Sequence, residues 1–192
     1  MSTAVKLFFN FRSPYCYLLS KTMFEAFQPF DIDFQFRALG GWDGRSPPER
    51  AKVKVPITRQ DMARWTKRMN LPYQPPPITT DPTPAGLGSV AAETAGLLQP
   101  YIEQVMHTEW GDGVDIGKPD VLHRIALDIG LDSHALDNAL NSASAKQKLA
   151  DNWTEAQDLG VVGVPTFVIG DQIFWGNDRL DFVVEYLQEL AD

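Results

Sequence analysis

The run Val5-Lys6-Leu7-Phe8-Phe9 leads within a few residues into Ser13-Pro14, and that junction fixes how the chain must begin. A short apolar stretch of strand-forming residues predicts a buried strand. Serine then suits a helix N-cap, and proline suits the first helical position, where its missing N–H costs nothing. Leu18, Leu19, Met23, Phe24 and Phe27 supply the apolar face of one helix, which Pro29 helps to end. Ile32-Asp33-Phe34-Gln35-Phe36 alternates as a half-buried strand should. The chain therefore opens strand, helix, strand.

From Leu39 to about Gly160 the texture changes to Pro-rich connections and helical periodicity. Helices are expected over 59–69, 87–110, 118–130, 133–141 and 145–159, separated by Pro or Gly signals. Thr166-Phe167-Val168-Ile169 and Gln172-Ile173-Phe174-Trp175 then flank Gly170-Asp171, a strong hairpin signal. Asn177-Asp178-Arg179 caps a last amphipathic helix through Leu190. This element order predicts an α/β chain: a thioredoxin-like domain from residues 1–38 and 161–192, with a large all-helical domain inserted at 39–160.

The chemistry open to such a chain turns on Ser13. A Cys-x-x-Cys pair at this strand-to-helix turn would cycle between dithiol and disulfide. Here Ser13 takes the first position and leaves Cys16, the only cysteine, without a partner. The turn can still favour an anion, because the Ser13 hydroxyl donates a hydrogen bond and helix-start amides face outward. Ser13 thus reads either as a plain N-cap or as a serine that stabilises another molecule's thiolate. Proline in Gly163-Val164-Pro165-Thr166 precedes a strand, and a cis Val164–Pro165 bond is expected to leave the Val164 amide and carbonyl free for an extended peptide. Trp175-Gly176-Asn177-Asp178-Arg179 offers amides for a carboxylate, and Asp178 can pair with an ammonium.

Composition removes other classes. A net charge of −8 argues against nucleic acid as a partner. No stretch approaches the roughly 20 apolar residues that span a bilayer, and the first residues lack a signal peptide's pattern. One cysteine and no leader point to the cytoplasm, which makes the Asn152-Trp153-Thr154 glycosylation triplet accidental. His107, His123 and His134 show no metal-ligand spacing, so no metal is expected.

Ser13-Pro14-Tyr15, Gly163-Val164-Pro165-Thr166-Phe167 and Phe174-Trp175-Gly176-Asn177-Asp178-Arg179-Leu180 resemble the 2-hydroxychromene-2-carboxylate isomerases, relatives of kappa-class glutathione transferases and DsbA-like oxidoreductases. The resemblance spans nearly the whole chain and implies bound glutathione and a homodimer. By position it implies that Ser13 hydrogen-bonds the glutathione thiolate and Val164 pairs with the cysteinyl backbone. Asn177 and Asp178 then hold the γ-glutamyl end, Gly176 and Arg179 belong to the same glutathione site, and Lys54 meets the glycyl carboxylate. Gly44-Arg45-Ser46-Pro47-Pro48 resembles the family's Gly-Asn-x-Pro-Pro loop, with Arg45 in the asparagine's place.

The resemblance also implies the reaction. Thiolate addition to an aromatic-derived acid, 2-hydroxychromene-2-carboxylate, turns a double bond into a single one, and expulsion after rotation leaves trans-o-hydroxybenzylidenepyruvate, a step of naphthalene-type catabolism. Candidates for the substrate are Arg12, Arg45 and Lys54 on its carboxylate and Phe11, Tyr15, Trp42 and Trp65 as aromatic walls. Arg12 reads alternatively as a solvated strand end, and Cys16 as a small buried hydrophobe or as a thiol forming a mixed disulfide with glutathione. The alternative functions are a kappa-like glutathione transferase, which consumes glutathione, and a noncatalytic glutathione- or peptide-binding module.

Overall fold

A computed structural model describes residues 2–191. Its central strand, β1 (Thr3–Phe9), is buried on both faces, with Val5, Leu7, Phe8 and Phe9 all inaccessible. That explains an apolar run where a one-sided strand would alternate. β2 (Ile32–Ala38) lies parallel to β1, with Val5 opposite Phe34 and Leu7 opposite Phe36. On the other side β3 (Thr166–Ile169) runs antiparallel, with Leu7 opposite Phe167, and β4 (Gln172–Trp175) completes the hairpin. The sheet order is β2-β1-β3-β4.

The single helix expected after Ser13 is two, α1 (Pro14–Ser20) and α2 (Met23–Phe27). The break comes where the Lys21 and Thr22 amides bond the Leu18 and Leu19 carbonyls three residues back, at 3.2 and 3.1 Å, tightening the turn. The break turns Phe24 and Phe27 onto the sheet. Phe27 meets Phe167 edge-on at 5.5 Å and Phe24 meets Phe34 at 5.9 Å. α9 (Leu180–Ala191) adds Tyr186 against Phe174, also at 5.9 Å. Full burial, as of Phe27 and Phe167, contributes roughly 1.5–3 kcal/mol each, and the half-buried rings contribute less.

The side chains of Lys6 and Arg37 point to the opposite face, which α8 (Ala143–Asp158) covers. Glu155 of α8 takes Lys6 Nζ and Arg37 Nε at 2.6 Å each, and the buried Asn152 carboxamide donates to the Ala38 carbonyl at 2.9 Å. Those two bonds depress the Glu155 carboxyl despite some burial.

Before α8, the chain between β2 and β3 forms α3 (Pro48–Met69), α4 (Thr83–Thr94), α5 (Leu98–Met106), α6 (Pro119–Ile129) and α7 (Ser133–Asn141), with no strand among the described residues. α3 begins at Pro48 and not at 59, because Pro56 is accommodated inside an exposed stretch of helix. The helix expected over 87–110 divides at Gly96, whose φ of 70° no helix continues through. Its last part is a π-helical turn, His107–Gly111, which follows α5 directly. Phe11 packs edge-on against Tyr101 of α5 at 6.0 Å and joins the sheet and helices into one core. Phe11 is fully buried there, so it is no aromatic wall of a binding site. Among the described residues, no helix is long and apolar enough to cross a membrane.

Candidate active site

Asn10 builds the turn between β1 and α1. Its buried carboxamide donates to the Asp43 carbonyl at 3.0 Å and accepts from the Arg12 amide at 2.9 Å, while its own carbonyl accepts from the Ser13 amide at 2.9 Å. Ser13 is thereby held with extended backbone, φ −90° and ψ 121°, as the cap of α1. Its Oγ accepts from the Cys16 amide and donates to the Val164 carbonyl, each at 3.4 Å. Both contacts are long, against about 2.7–2.8 Å for a good O–H···O bond and about 2.9–3.0 Å for N–H···O, so the hydroxyl can be redirected at little cost.

The Val164–Pro165 bond is cis. The Val164 carbonyl, expected to be free, takes the Ser13 hydroxyl instead, because the α1 cap abuts the loop before β3. Cys16 has no exposed surface, and burial pushes its thiol up to about 12. A neutral, enclosed thiol cannot form the mixed disulfide that its position in sequence left open.

Val164 also leans on the loop after β2. At Gly44, with φ 67°, a Cβ would lie 2.8 Å from Leu39 Cδ1 and 2.9 Å from Val164 Cγ1, so only glycine lets the chain pass. Beyond β4 the Gly176 amide donates to the Pro165 carbonyl at 2.9 Å, and Asn177–Arg179 form one 3₁₀ turn leading into α9. The exposed Asp178 carboxylate lies 3.3 Å from Arg179 Nη1.

These turns meet at a cavity of about 760 Å³. Arg12, Ser13, Tyr15, Trp42, Arg45, Lys54, Val164 and Gly176 through Arg179 all line it, and α3 forms a wall with Trp65. Tyr15 ties α1 to that wall by donating to Asp61 Oδ2 at 3.0 Å; burial and then Asp61 push its phenol up to about 12. Lys54 donates to Ser46 Oγ at 2.9 Å. The Arg45 guanidinium lies over Trp42 at 3.9 Å and donates to the Gly41 carbonyl at 3.1 Å. Burial, followed by the like charge of Arg12, lowers its pKa to about 10, which leaves it charged at neutral pH.

Six cations (Arg12, Arg45, Arg50, Lys54, Arg59 and Arg179) face this cavity against two carboxylates, Asp61 and Asp178. On a chain of net charge −8 that local excess gives the cavity a positive field that favours anions.

Arg12 is not a solvated strand end. Its side chain is 9% exposed, lies over Trp110 at 5.2 Å, and donates through Nη2 to the Pro77 carbonyl at 3.0 Å. The anchors around it escaped sequence reasoning. Trp110 donates to the Phe11 carbonyl at 3.2 Å and stacks on Tyr73, with ring centres 6.3 Å apart. Glu109, with no exposed surface, places Oε1 3.5 Å from Arg12 Nη1. A glutamate and tryptophan inside an apparent helix carry no signal until the π turn is known. Asn10 did carry one, as a turn-forming residue three positions before Ser13-Pro14.

The family model for the DsbA-like thioredoxin domain matches residues 4–188. The 2-hydroxychromene-2-carboxylate isomerase of Sphingobium xenophagum is 30% identical over 97% of this chain and 99% of its own length. The chain belongs to the DsbA-like 2-hydroxychromene-2-carboxylate isomerase family. It is accordingly an enzyme of the isomerase class. The solved structure of a 2-hydroxychromene-2-carboxylate isomerase shares the fold with a TM-score of 0.85 at 23% identity, covering 98% of this chain and 96% of that one. The cytosolic disulfide reductase DsbM from Pseudomonas aeruginosa, determined with GSH, superposes with a TM-score of 0.75 at 16% identity and 98% coverage of both chains. Thioredoxin-like architecture with a helical insertion thus agrees with the fold class expected from element order.

Proposed function

We propose that this enzyme converts 2-hydroxychromene-2-carboxylate to trans-o-hydroxybenzylidenepyruvate with glutathione as a recycled cofactor, in naphthalene-type aromatic catabolism. The observation that carries the reading is the cavity itself. A weakly engaged serine hydroxyl and the Val164 backbone adjoin a cationic wall, in a space large enough for a tripeptide beside an aromatic acid. The DsbM neighbour, of the same fold and determined with GSH, supports this reading.

Glutathione, when bound, supplies a thiolate that adds reversibly to the substrate's unsaturated system and lets the former double bond rotate. The chain's own residues do the rest. Ser13 turns its hydroxyl from the Val164 carbonyl to the sulfur, a charge-assisted bond stronger than the 3.4 Å contact it gives up. Val164 pairs with the cysteinyl backbone, and Gly176, Asn177, Asp178 and Arg179 hold the γ-glutamyl end. Lys54 takes the glycyl carboxylate. Arg12 and Arg45 orient the substrate carboxylate between Trp42, Tyr15, Trp65 and Trp110, which exclude water from the reacting bond.

In this reading residues 1–38 and 161–192 form the glutathione-binding domain, residues 39–160 supply most of the substrate side, and the enzyme works as a cytoplasmic homodimer. The test is an ultraviolet assay with 2-hydroxychromene-2-carboxylate, with and without glutathione. Glutathione-dependent conversion is expected; conversion that ignores glutathione, or none at all, refutes the assignment.

A further inference from the structure

Behind the cavity wall, Glu109 is a buried carboxylate that the reaction above does not use. Neither of its oxygens has a hydrogen-bond partner among the described residues, and neither does Arg12 Nε. Glu109 Oε1 and Arg12 Nη1 lie 3.5 Å apart, close enough for attraction yet without hydrogen-bond geometry. An ion pair that served only stability would close that gap, since an unsatisfied buried carboxylate is costly. Arg12, meanwhile, faces the cavity beside Ser13.

We infer that Glu109, when ionised, is the exchangeable counter-ion of Arg12: an anionic ligand docking on Arg12 and Arg45 takes over the carboxylate's role, and an ionised Glu109 takes up one proton from solvent. Charge is conserved in the exchange. One carboxylate enters, another becomes a neutral carboxylic acid, and the two guanidinium groups stay as they were. Burial favours the neutral form of Glu109 and raises its pKa to about 8; Arg12 and Arg45 pull it down, and Asp115 adds to the rise. The other charged or titratable neighbours are His107 and Asp112, paired across the π turn at 3.7 Å, Tyr73, which acts on Arg12, and Asp81, which acts on Arg45. The π turn explains the placement, because its extra residue carries Glu109 and Trp110 together toward the turn after β1.

The consequence is a site that prefers carboxylate ligands below about pH 8 and rejects them progressively above it. The inference rests on the proposed function only in taking that ligand to be the substrate's carboxylate, so the test uses a simple aromatic carboxylate, salicylate, on the glutathione-saturated protein. Calorimetry in two buffers of different ionisation enthalpy counts protons taken up per salicylate bound. At about pH 8.5 most of one proton should be absorbed, and at about pH 6 almost none. Affinity should fall about tenfold from pH 7 to pH 9, one unit either side of the midpoint. In Glu109→Gln, uptake should vanish and the affinity should stay at its low-pH value. Salicylate that fails to bind, binds without proton uptake at pH 8.5 in the unaltered protein, or shows the same uptake in Glu109→Gln overturns the inference. Loss of isomerase turnover alone would instead strike the proposed function.

Discussion

Replacing Glu109 by glutamine keeps the shape of the side chain and removes its ionisation, so it isolates what a buried, unbonded carboxylate does to stability. In the folded chain burial holds the Glu109 proton up to about 8, against an ordinary value of 4.5. Between those values the unfolded chain has released the proton and the folded chain still binds it. Stability therefore falls as pH rises, by about 1.4 kcal/mol for each unit. The fall amounts to roughly 3 kcal/mol between pH 5 and pH 7 and levels off once the folded carboxyl has also ionised, above about pH 8. A change of that size is a large share of a typical domain's 5–15 kcal/mol. Urea unfolding at pH 5, 7 and 8.5 on both proteins gives the comparison, with effects of all other groups cancelling in the difference. Glu109→Gln should lose less stability than the unaltered chain by roughly 3 kcal/mol on going from pH 5 to pH 7. Parallel curves would mean that Glu109 is ionised and paired at neutral pH, and the reasoning from its missing hydrogen bonds would fail.

Other substitutions report on the site's walls. Ser13→Ala should lower glutathione-dependent turnover about 10- to 100-fold, the worth of a hydrogen bond to a charged group of about 1.5–3 kcal/mol, and should cost about 1 kcal/mol of stability as the α1 cap is lost; steady-state rates and urea midpoints separate the two effects. Gly44→Ala places a methyl group against Leu39 and Val164 at a left-handed backbone position, so it should raise the KM for glutathione and destabilise the chain by about 1–3 kcal/mol, as read from kinetics and thermal melting. Cys16 should resist iodoacetamide in the native protein and react fully in denaturant, because burial holds its thiol neutral; rapid labelling without denaturant contradicts the packing described.

Much of this was legible in the sequence where local chemistry and tertiary context agreed. Ser13-Pro14 marks a helix start because both residues act through the backbone, and the hairpin around Gly170-Asp171 needs only its turn. The helix 133–141 is likewise set by its own cap and periodicity, with Asp132 accepting from the Ala135 amide. Failures came where neighbours far along the chain decide. Pro56 reads as a breaker, yet α3 runs past it; His107–Gly111 reads as ordinary helix, yet turns to π geometry as Trp110 reaches the Phe11 carbonyl. Ser13, Val164 and Gly176 through Arg179 face one cavity because they sit at turns that the sheet brings together, with Lys54 reaching it from α3, whereas Glu109 and Trp110 lie on a segment whose approach no local pattern encodes. Phe11 failed for a related reason: an aromatic beside a site and an aromatic in the core look alike until the turn after β1 sets its direction.

A glutathione balance tests the central proposal most directly. The enzyme, a small amount of glutathione and a large excess of 2-hydroxychromene-2-carboxylate are incubated, with product followed by absorbance and free thiol titrated at the end. A cofactor that is released after every cycle predicts many product molecules per glutathione and an unchanged thiol content. Thiol that disappears in step with the substrate, as in conjugate formation, or product that accumulates equally without glutathione, contradicts it.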